Sequence, residues 1–461
     1  LQTKGTIDFS KEEPMIDLSG TTSAINISQL VKETEGSAEV AYNAKGTLPN
    51  LKGDITAKVK DVSYQNDSLK VRGQPLEVTS KWALATDLLT ISQGTLKLGP
   101  QIVQFDGVYP LAELPFNLNI NIDKINSKYL KTLFKDAQSI PDMTDANLKL
   151  SYSSAGTVKG NFSSRVLKTE EDTYKNLKTD FIYKKDKVHF SNIKAELYEG
   201  ALSGTATVPV PLQQGKNVAF DISLENASLK KIESLRNQFK GRASVDLKGE
   251  CNPLHRDWIK TLNANGNIKA IDVSMESINL LKDTFDKPVW KKISQIKQSK
   301  FNLNKLQKYI VSHQDIKNLS SKFTIKNGSF HLAKSKLQMP DSHVTIEGSY
   351  GIDGRLELKG DMVLTKSLLK QGIQNETLLN IITSPNDLLT LPYTITGVMP
   401  EPSLSLNEKA IRSHYTESLK ELAKNETKKV VKKGVEETLE KTKEKVIQAI
   451  PKIEDKIKGL F

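Results

Sequence analysis

Apolar and polar positions alternate with a period of two through most of residues 1–407. In Arg355–Leu364, Leu356, Leu358, Met362 and Leu364 fall on one side with Gly360, and Arg355, Glu357, Lys359 and Asp361 fall on the other. Val218, Phe220, Ile222 and Leu224 alternate with Ala219, Asp221 and Ser223. Ile55, Ala57 and Val59 alternate with Thr56, Lys58 and Lys60, and Leu118, Ile120 and Ile122 stand between asparagines. A strand turns successive side chains to opposite faces, so each run predicts a strand with one apolar and one wet face. Asn327-Gly328, Asp353-Gly354, Gly46, Gly73 and Gly160 read as turns between runs, which predicts hairpin-connected antiparallel strands.

Short helical pieces follow some strands. Ser127–Phe134 and Ser228–Leu235 each start with a serine placed as an N-cap and carry Leu or Ile at helical spacing. A looser strand-then-helix unit occupies Pro14–Val31. The three units start about a hundred residues apart, the signature of an internal repeat. A fourth unit, Asn265–Phe285, also runs strand into helix. From Glu408 to Phe461 the alternation gives way to Lys and Glu, with Val431, Val435, Leu439, Val446, Ile450, Ile453 and Ile457 at helical spacing. That predicts an amphipathic helix with a narrow apolar stripe, interrupted at Pro451. Its candidate contacts are a membrane surface, a partner helix, or the chain's own sheet.

Composition sharpens the picture. With 461 residues and only 37% hydrophobic and 6% aromatic side chains, the chain is lean for its length. A thin layer with one apolar face fits that better than a thick core. The net charge is +12, and the pI is about 9.2. Lysine spread over such a surface suits anionic lipid headgroups, and equally suits plain protection of strand edges. No Arg-rich stretch, basic–aromatic interleaving or zinc or helix-turn-helix signature is present, which argues against nucleic acid. A single cysteine, Cys251, excludes an internal disulfide. No run approaches the ~20 apolar residues of a membrane-spanning helix. The chain starts at Leu1 rather than Met, so a preceding segment is expected.

Candidate chemistry is sparse. The histidines, His189, His255, His313, His331, His343 and His414, are scattered. Cys251 and His255 are four apart, but one Cys and one His fall short of a metal site. Gly348, Gly351 and Gly354 lack a following helix or Lys-Ser/Thr, so hairpin turns are the better reading than a phosphate loop. No nucleophile elbow or singled-out carboxylate pair is visible. The expectation is no enzyme, no cofactor and no metal, with a hydrolase as the third-ranked class.

Several segments, in order, resemble the AsmA family. Phe323–Gly348 (FTIKNGSFHLAKSKLQMPDSHVTIEG) is similar to its strand, Asn-Gly turn, strand, strand pattern, and GSYGIDGRLELKGDMVL continues as the next hairpin. LPYTITGVMPEPSLSLN, Leu391–Asn407, resembles the family's closing segment. Upstream, Ala195–Val208 (AELYEGALSGTATV) and GECNPLHRDWIKTLNANGNIKAIDVSMESINLL also match in style and order. The likeness is clear from about Asn192 to Asn407 and diffuse before it. It implies a periplasmic protein related to TamB-type and bridge-like lipid-transfer proteins. It also implies an apolar β-groove and a role in lipid traffic or outer-membrane biogenesis.

The expected fold class is mainly β: an elongated, twisted antiparallel β-sheet groove with short interspersed helices and a C-terminal amphipathic helix. The expected division is 1–140, a β-rich repeat region; 141–407, the AsmA-like region; and 408–461, the helix. The groove wall is assigned to Val218, Phe220, Ile222, Leu224, Val344, Ile346, Leu356, Leu358, Met362 and Leu364. The expected partners are phospholipid or lipid A-type lipid, with the membrane surface reached through the C-terminal helix. The expected location is the periplasm of a Gram-negative-type bacterium, with an inner-membrane anchor ahead of Leu1. The alternative is a scaffold for outer-membrane assembly with a closed β core and no lipid route.

Overall fold

A computed structural model describes residues 2–407, apart from 30–31, 66–68, 112–115, 136–139, 155, 214, 234, 236–238, 276–283, 285–301, 313–315, 352, 384–385 and 399–401; beyond 407 it describes Lys409 and Ser413. The helix expected over 408–461, with Val435, Leu439, Val446, Ile450, Ile453 and Ile457, lies outside the described residues. The chain divides into two compact units, Leu1–Ile222 and Ser223–Phe461. The boundary expected after residue 140 falls inside the first unit.

The fold is mainly β and antiparallel, as the alternation predicts. Unit 1 holds β1 (Gln2–Asp8), β2 (Met15–Asn26), β3 (Thr34–Thr47), β4 (Asn50–Gln65), β5 (Lys70–Ala85), β6 (Leu88–Leu98), β7 (Gln101–Pro110) and β8 (Asn117–Ile122). Then come α1 (Ser127–Leu133), β9 (Asp142–Thr144), β10 (Asn147–Ser153), β11 (Thr157–Lys168), β12 (Thr173–Lys184), β13 (Lys187–Leu197) and β14 (Gly200–Pro209). Each strand pairs with the next, except that β10 pairs with β8 and the short β9 pairs with β11. Strand β15 (Val218–Ser228) spans the unit boundary. Unit 2 continues with β16 (Phe239–Cys251), β17 (Asn263–Met275), α2 (Leu303–Ser312), β18 (Ile316–Lys326), β19 (Ser329–Gln338), β20 (Ser342–Tyr350) and β21 (Arg355–Thr365). It ends with α3 (Lys366–Lys370), α4 (Glu376–Thr383), β22 (Leu388–Val398) and β23 (Ser403–Leu406). Strands β16 to β23 pair in sequence order. Neither ladder closes into a barrel among the described residues.

Local chemistry explains the turns and breaks. Asn327 (φ 51°) and Gly328 (φ 75°) join Lys326 to its cross-strand partner Ser329, the two left-handed residues a two-residue hairpin needs. Gly354 (φ 80°) turns β20 into β21 as read from sequence. Gly46, Gly73, Gly160 and Gly348 are not turns and lie inside β3, β5, β11 and β20. At Gly160 a Cβ would sit 2.6 Å from the Phe181 ring, so the glycine serves close approach rather than chain reversal. Strict period two also fails at bulges. Asp61 (φ 54°), Gln93 (φ 52°) and Asn192 (φ 52°) take left-handed conformations beside register shifts. The inserted residues keep Val59 with Val62, Ile91 with Gly94, and Phe190 with Ile193 on one face.

The short helices are smaller than expected and differently capped. In α1 the cap is Asn126, whose side chain accepts from Tyr129 N at 3.0 Å. Ser127 is instead the first helical residue, and its hydroxyl accepts from Met143 N at 3.1 Å. Ser228 precedes only a 3-10 turn, Leu229–Lys231, and makes no side-chain cap bond. A similar turn, Ile27–Gln29, follows β2.

The two units differ in what covers their apolar face. In unit 2 the rungs Leu337–Val344, Val344–Met362 and Met362–Leu391 run across four strands. Val344, Met362, Leu364, Leu389 and Leu391 are all 0% exposed. They share one cluster with Leu306 of α2, Leu368 and Leu369 of α3, and Leu379 and Ile382 of α4. Each such side chain contributes on the order of 1.5–3 kcal/mol by leaving water. Among the described residues unit 1 has a small cluster, Ala38, Val59, Val62, Val71 and Leu133, backed by Tyr129 and Leu130 of α1.

Candidate functional site: the apolar face of unit 1

Register converts alternation within each strand into rows that cross the strands. One row passes through Gly94–Phe105, Phe105–Ile120, Ile120–Leu150, Leu150–Gly160, Gly160–Phe181, Phe181–Phe190 and Phe190–Ala206. Beside it run Gly53–Trp82, Trp82–Ile91, Ile91–Gly107, Gly107–Leu118, Leu118–Tyr152, Tyr152–Val158, Val158–Tyr183, Tyr183–Val188 and Val188–Val208. Neighbouring strands lie about 4.8 Å apart, so every step of a row brings the next apolar group into contact. Apart from glycine, the members of both rows are half-buried rather than buried. Same-sheet neighbours cover their flanks, and their tops remain open.

Glycine has a second part here that local sequence does not reveal. Gly20, Gly53, Gly94 and Gly160 stand directly opposite Tyr42, Trp82, Phe105 and Phe181. A Cβ on Gly94 would meet the Phe105 ring at 2.5 Å. Each aromatic ring therefore lies across the bare backbone of its partner glycine and fills the gap in the row. Unit 2 repeats the device at Gly266–Phe323, and Tyr393, the register partner of Gly360, donates its hydroxyl to the Thr345 carbonyl at 2.9 Å. The usable signal is a glycine on an apolar face with an aromatic at the facing register position, and register has to be known first.

The opposite face of unit 1 is wet and paired. Lys45 meets Asp17 at 2.9 Å and Lys60 meets Glu39 at 3.1 Å. Asn43 donates to Asp54 at 3.1 Å and Asn119 to Asp106 at 2.9 Å. Exposed pairs of this kind contribute little each, but they fix which face meets water. A cleft of about 850 Å³ with a mixed polar and apolar lining lies beside α1 and includes Asp142 and Asp145. The hydrogen bond and charge of Lys131 hold the Asp142 carboxyl below its ordinary range. Arg165 does the same for Asp145, at 2.6 Å. Both carboxylates are thus already matched inside the protein.

The sequence-assigned wall residues separate into groups. Val344, Met362 and Leu364 are sealed in the unit 2 cluster, so they line no open surface. Ile346, Leu356 and Leu358 pack half-buried against that cluster. Val218, Phe220 and Ile222 are half-buried on one side of β15 in unit 1, and Leu224 is half-buried in unit 2. The long rows from β4 to β14 lie outside the wall that alternation alone assigns.

Cys251 is half-buried, and burial pushes its thiol up. His255 is engaged in its own loop, where Nδ1 accepts from Asp257 N at 3.0 Å. Among the described residues no three His, Cys, Asp or Glu side chains gather as a metal would need, and no helix is long and apolar enough to cross a membrane. Comparison with protein-family models, curated proteins and solved structures gives no match.

Proposed function

We propose that this chain is a non-enzymatic lipid-binding protein that carries acyl chains along the apolar face of unit 1. The observation that carries this reading is the unbroken, half-buried apolar row from Gly94 to Ala206. Such a row costs free energy in water, and an acyl chain relieves it without placed polar partners, at about 0.8 kcal/mol per buried methylene. The rings that fill the glycine gaps keep that surface continuous. The ordered likeness of residues 192–407 to the AsmA family supports the same reading. It extends the proposal to phospholipid or lipid A-type lipid, to the periplasm, and to lipid transport in outer-membrane biogenesis.

The test is lipid mass spectrometry on the purified full-length chain, beside Phe105→Glu and Leu150→Glu variants. Copurified lipid in the parent, reduced in folded variants, is the expected result. A parent free of lipid under conditions that preserve its fold overturns the proposal. One observation favours a second reading, a closed scaffold for envelope assembly: the sealed cluster of unit 2, where Met362, Leu364 and Leu391 are fully buried against α3 and α4.

A further inference from the structure

The connection between β16 and β17, residues 251–262, combines features that no internal role explains. Leu254 is 49% exposed, Trp258 46% and Ile259 39%. A tryptophan left so far in water is costly unless something covers it. Six of the loop's backbone N–H groups, by contrast, are satisfied from within. Asn252 N donates to Thr261 Oγ1 at 2.8 Å, and Leu254 N donates to Asn252 Oδ1 at 3.1 Å. His255 N, Lys260 N and Leu262 N donate to the carbonyls of Asn252, Asp257 and Ile259 at 3.2, 2.9 and 3.1 Å. Pro253 brings no N–H at all. Lys260 is paired with Asp257 at 2.9 Å. The neighbouring hairpin turn backs the loop, because a Cβ on Gly328 would lie 3.3 Å from the Ile259 carbonyl oxygen.

Facing outward are this apolar surface, His255, the exposed Asp257–Lys260 pair and two further exposed cations, Arg256 and Lys326, which make no ion pair among the described residues. A protein partner is recognised through directional polar contacts, and six of this loop's N–H groups are already bonded within it. A bilayer interface asks for the reverse: satisfied backbone, an amphipathic tryptophan, aliphatic neighbours and cations at phosphate level. We propose that residues 251–262 form an interfacial anchor that seats unit 2 on an anionic bilayer, with Trp258, Ile259 and Leu254 entering the headgroup layer and Arg256 and Lys326 at its phosphates. The anchor is independent of acyl-chain carriage by unit 1. A chain that carries no lipid can still dock, and a lipid carrier can fail to.

The experiment uses the full chain with Trp82→Phe and Trp290→Phe, so that emission reports Trp258 alone. The probe is vesicles of phosphatidylcholine brominated in the acyl chains, with and without about a third phosphatidylglycerol to supply the anionic surface. Expected is a blue shift and quenching of Trp258 on the anionic vesicles, weakened at high salt. Replacing Ile259 and Leu254 by Ser should reduce the vesicle partition coefficient roughly ten-fold, with the melting temperature unchanged. Arg256→Glu with Lys326→Glu should abolish the preference for anionic vesicles. If the chain sediments with vesicles and Trp258 is not quenched, another segment binds and the anchor is wrong. If no vesicle is bound, the anchor is equally wrong. A Trp258 blue shift that grows with protein concentration without vesicles would assign the loop to self-association instead.

Discussion

A glutamate placed on two leucines separates the open face from the closed one. Leu391 is 0% exposed in the unit 2 cluster, whereas Leu150 is half-buried between Ile120 and Gly160 on unit 1. Truncating a fully buried leucine costs about 2.7–5 kcal/mol. A carboxyl with no partner there adds its desolvation. A buried glutamate can titrate roughly 4 units above its ordinary 4.3; at neutral pH the part of that interval already crossed, about 2.7 units at about 1.36 kcal/mol per unit, contributes a further ~3.7 kcal/mol. The sum, about 6–9 kcal/mol, rivals the whole stability of a domain. Leu150→Glu loses about half of a leucine's transfer free energy, on the order of 1 kcal/mol, and its carboxylate stays hydrated.

Urea unfolding followed by far-UV circular dichroism measures both variants. The pH dependence supplies an independent sign. The Leu391→Glu carboxyl has a raised folded pKa, so its charge penalty is absent below about 4.3 and grows as pH rises toward the folded value. That variant should therefore fold better in acid than at neutrality, and Leu150→Glu should show no such rescue. Equal destabilisation of the two variants, or outright unfolding of Leu150→Glu, would refute the view that the unit 1 face is open to water.

Gly360→Ala should destabilise unit 2 by about 2–3 kcal/mol in the same unfolding assay, because a Cβ there overlaps the Thr345 carbonyl and lies 2.7 Å from its carbon; a neutral outcome would mean β20 yields freely. His343 is held below its ordinary pKa by desolvation first and the Lys336 charge second. The native state thus resists the proton that the unfolded chain accepts, and stability is lost as pH falls through about 6.5. His343→Gln should flatten that acid-side decline, and parallel pH profiles for parent and variant would exclude the assignment.

The alternation of Leu356 and Leu358 with Glu357 and Lys359, and of Ile120 and Leu118 with asparagines, was enough to fix strands, faces and an antiparallel fold. Hydration acts residue by residue, and a pleated strand offers only two sides. The Asn327-Gly328 hairpin was legible for an equally local reason, the left-handed backbone that pair accepts. What faces each side chain is not local. Met362 and Leu358 share a face and a sequence pattern, yet Met362 is sealed and Leu358 only half-buried, because α3 and α4 return from later in the chain to close one end of the sheet. Gly160 and Gly46 look like turns in sequence and become close-approach positions once neighbouring strands lie against them. The bulges at Asp61, Gln93 and Asn192 move residues three apart onto one face, where period two would have set them on opposite faces. Register decides whether separate apolar strands add up to a continuous row, and register is a relation between strands, carried by backbone pairing across the sheet and written in no single segment.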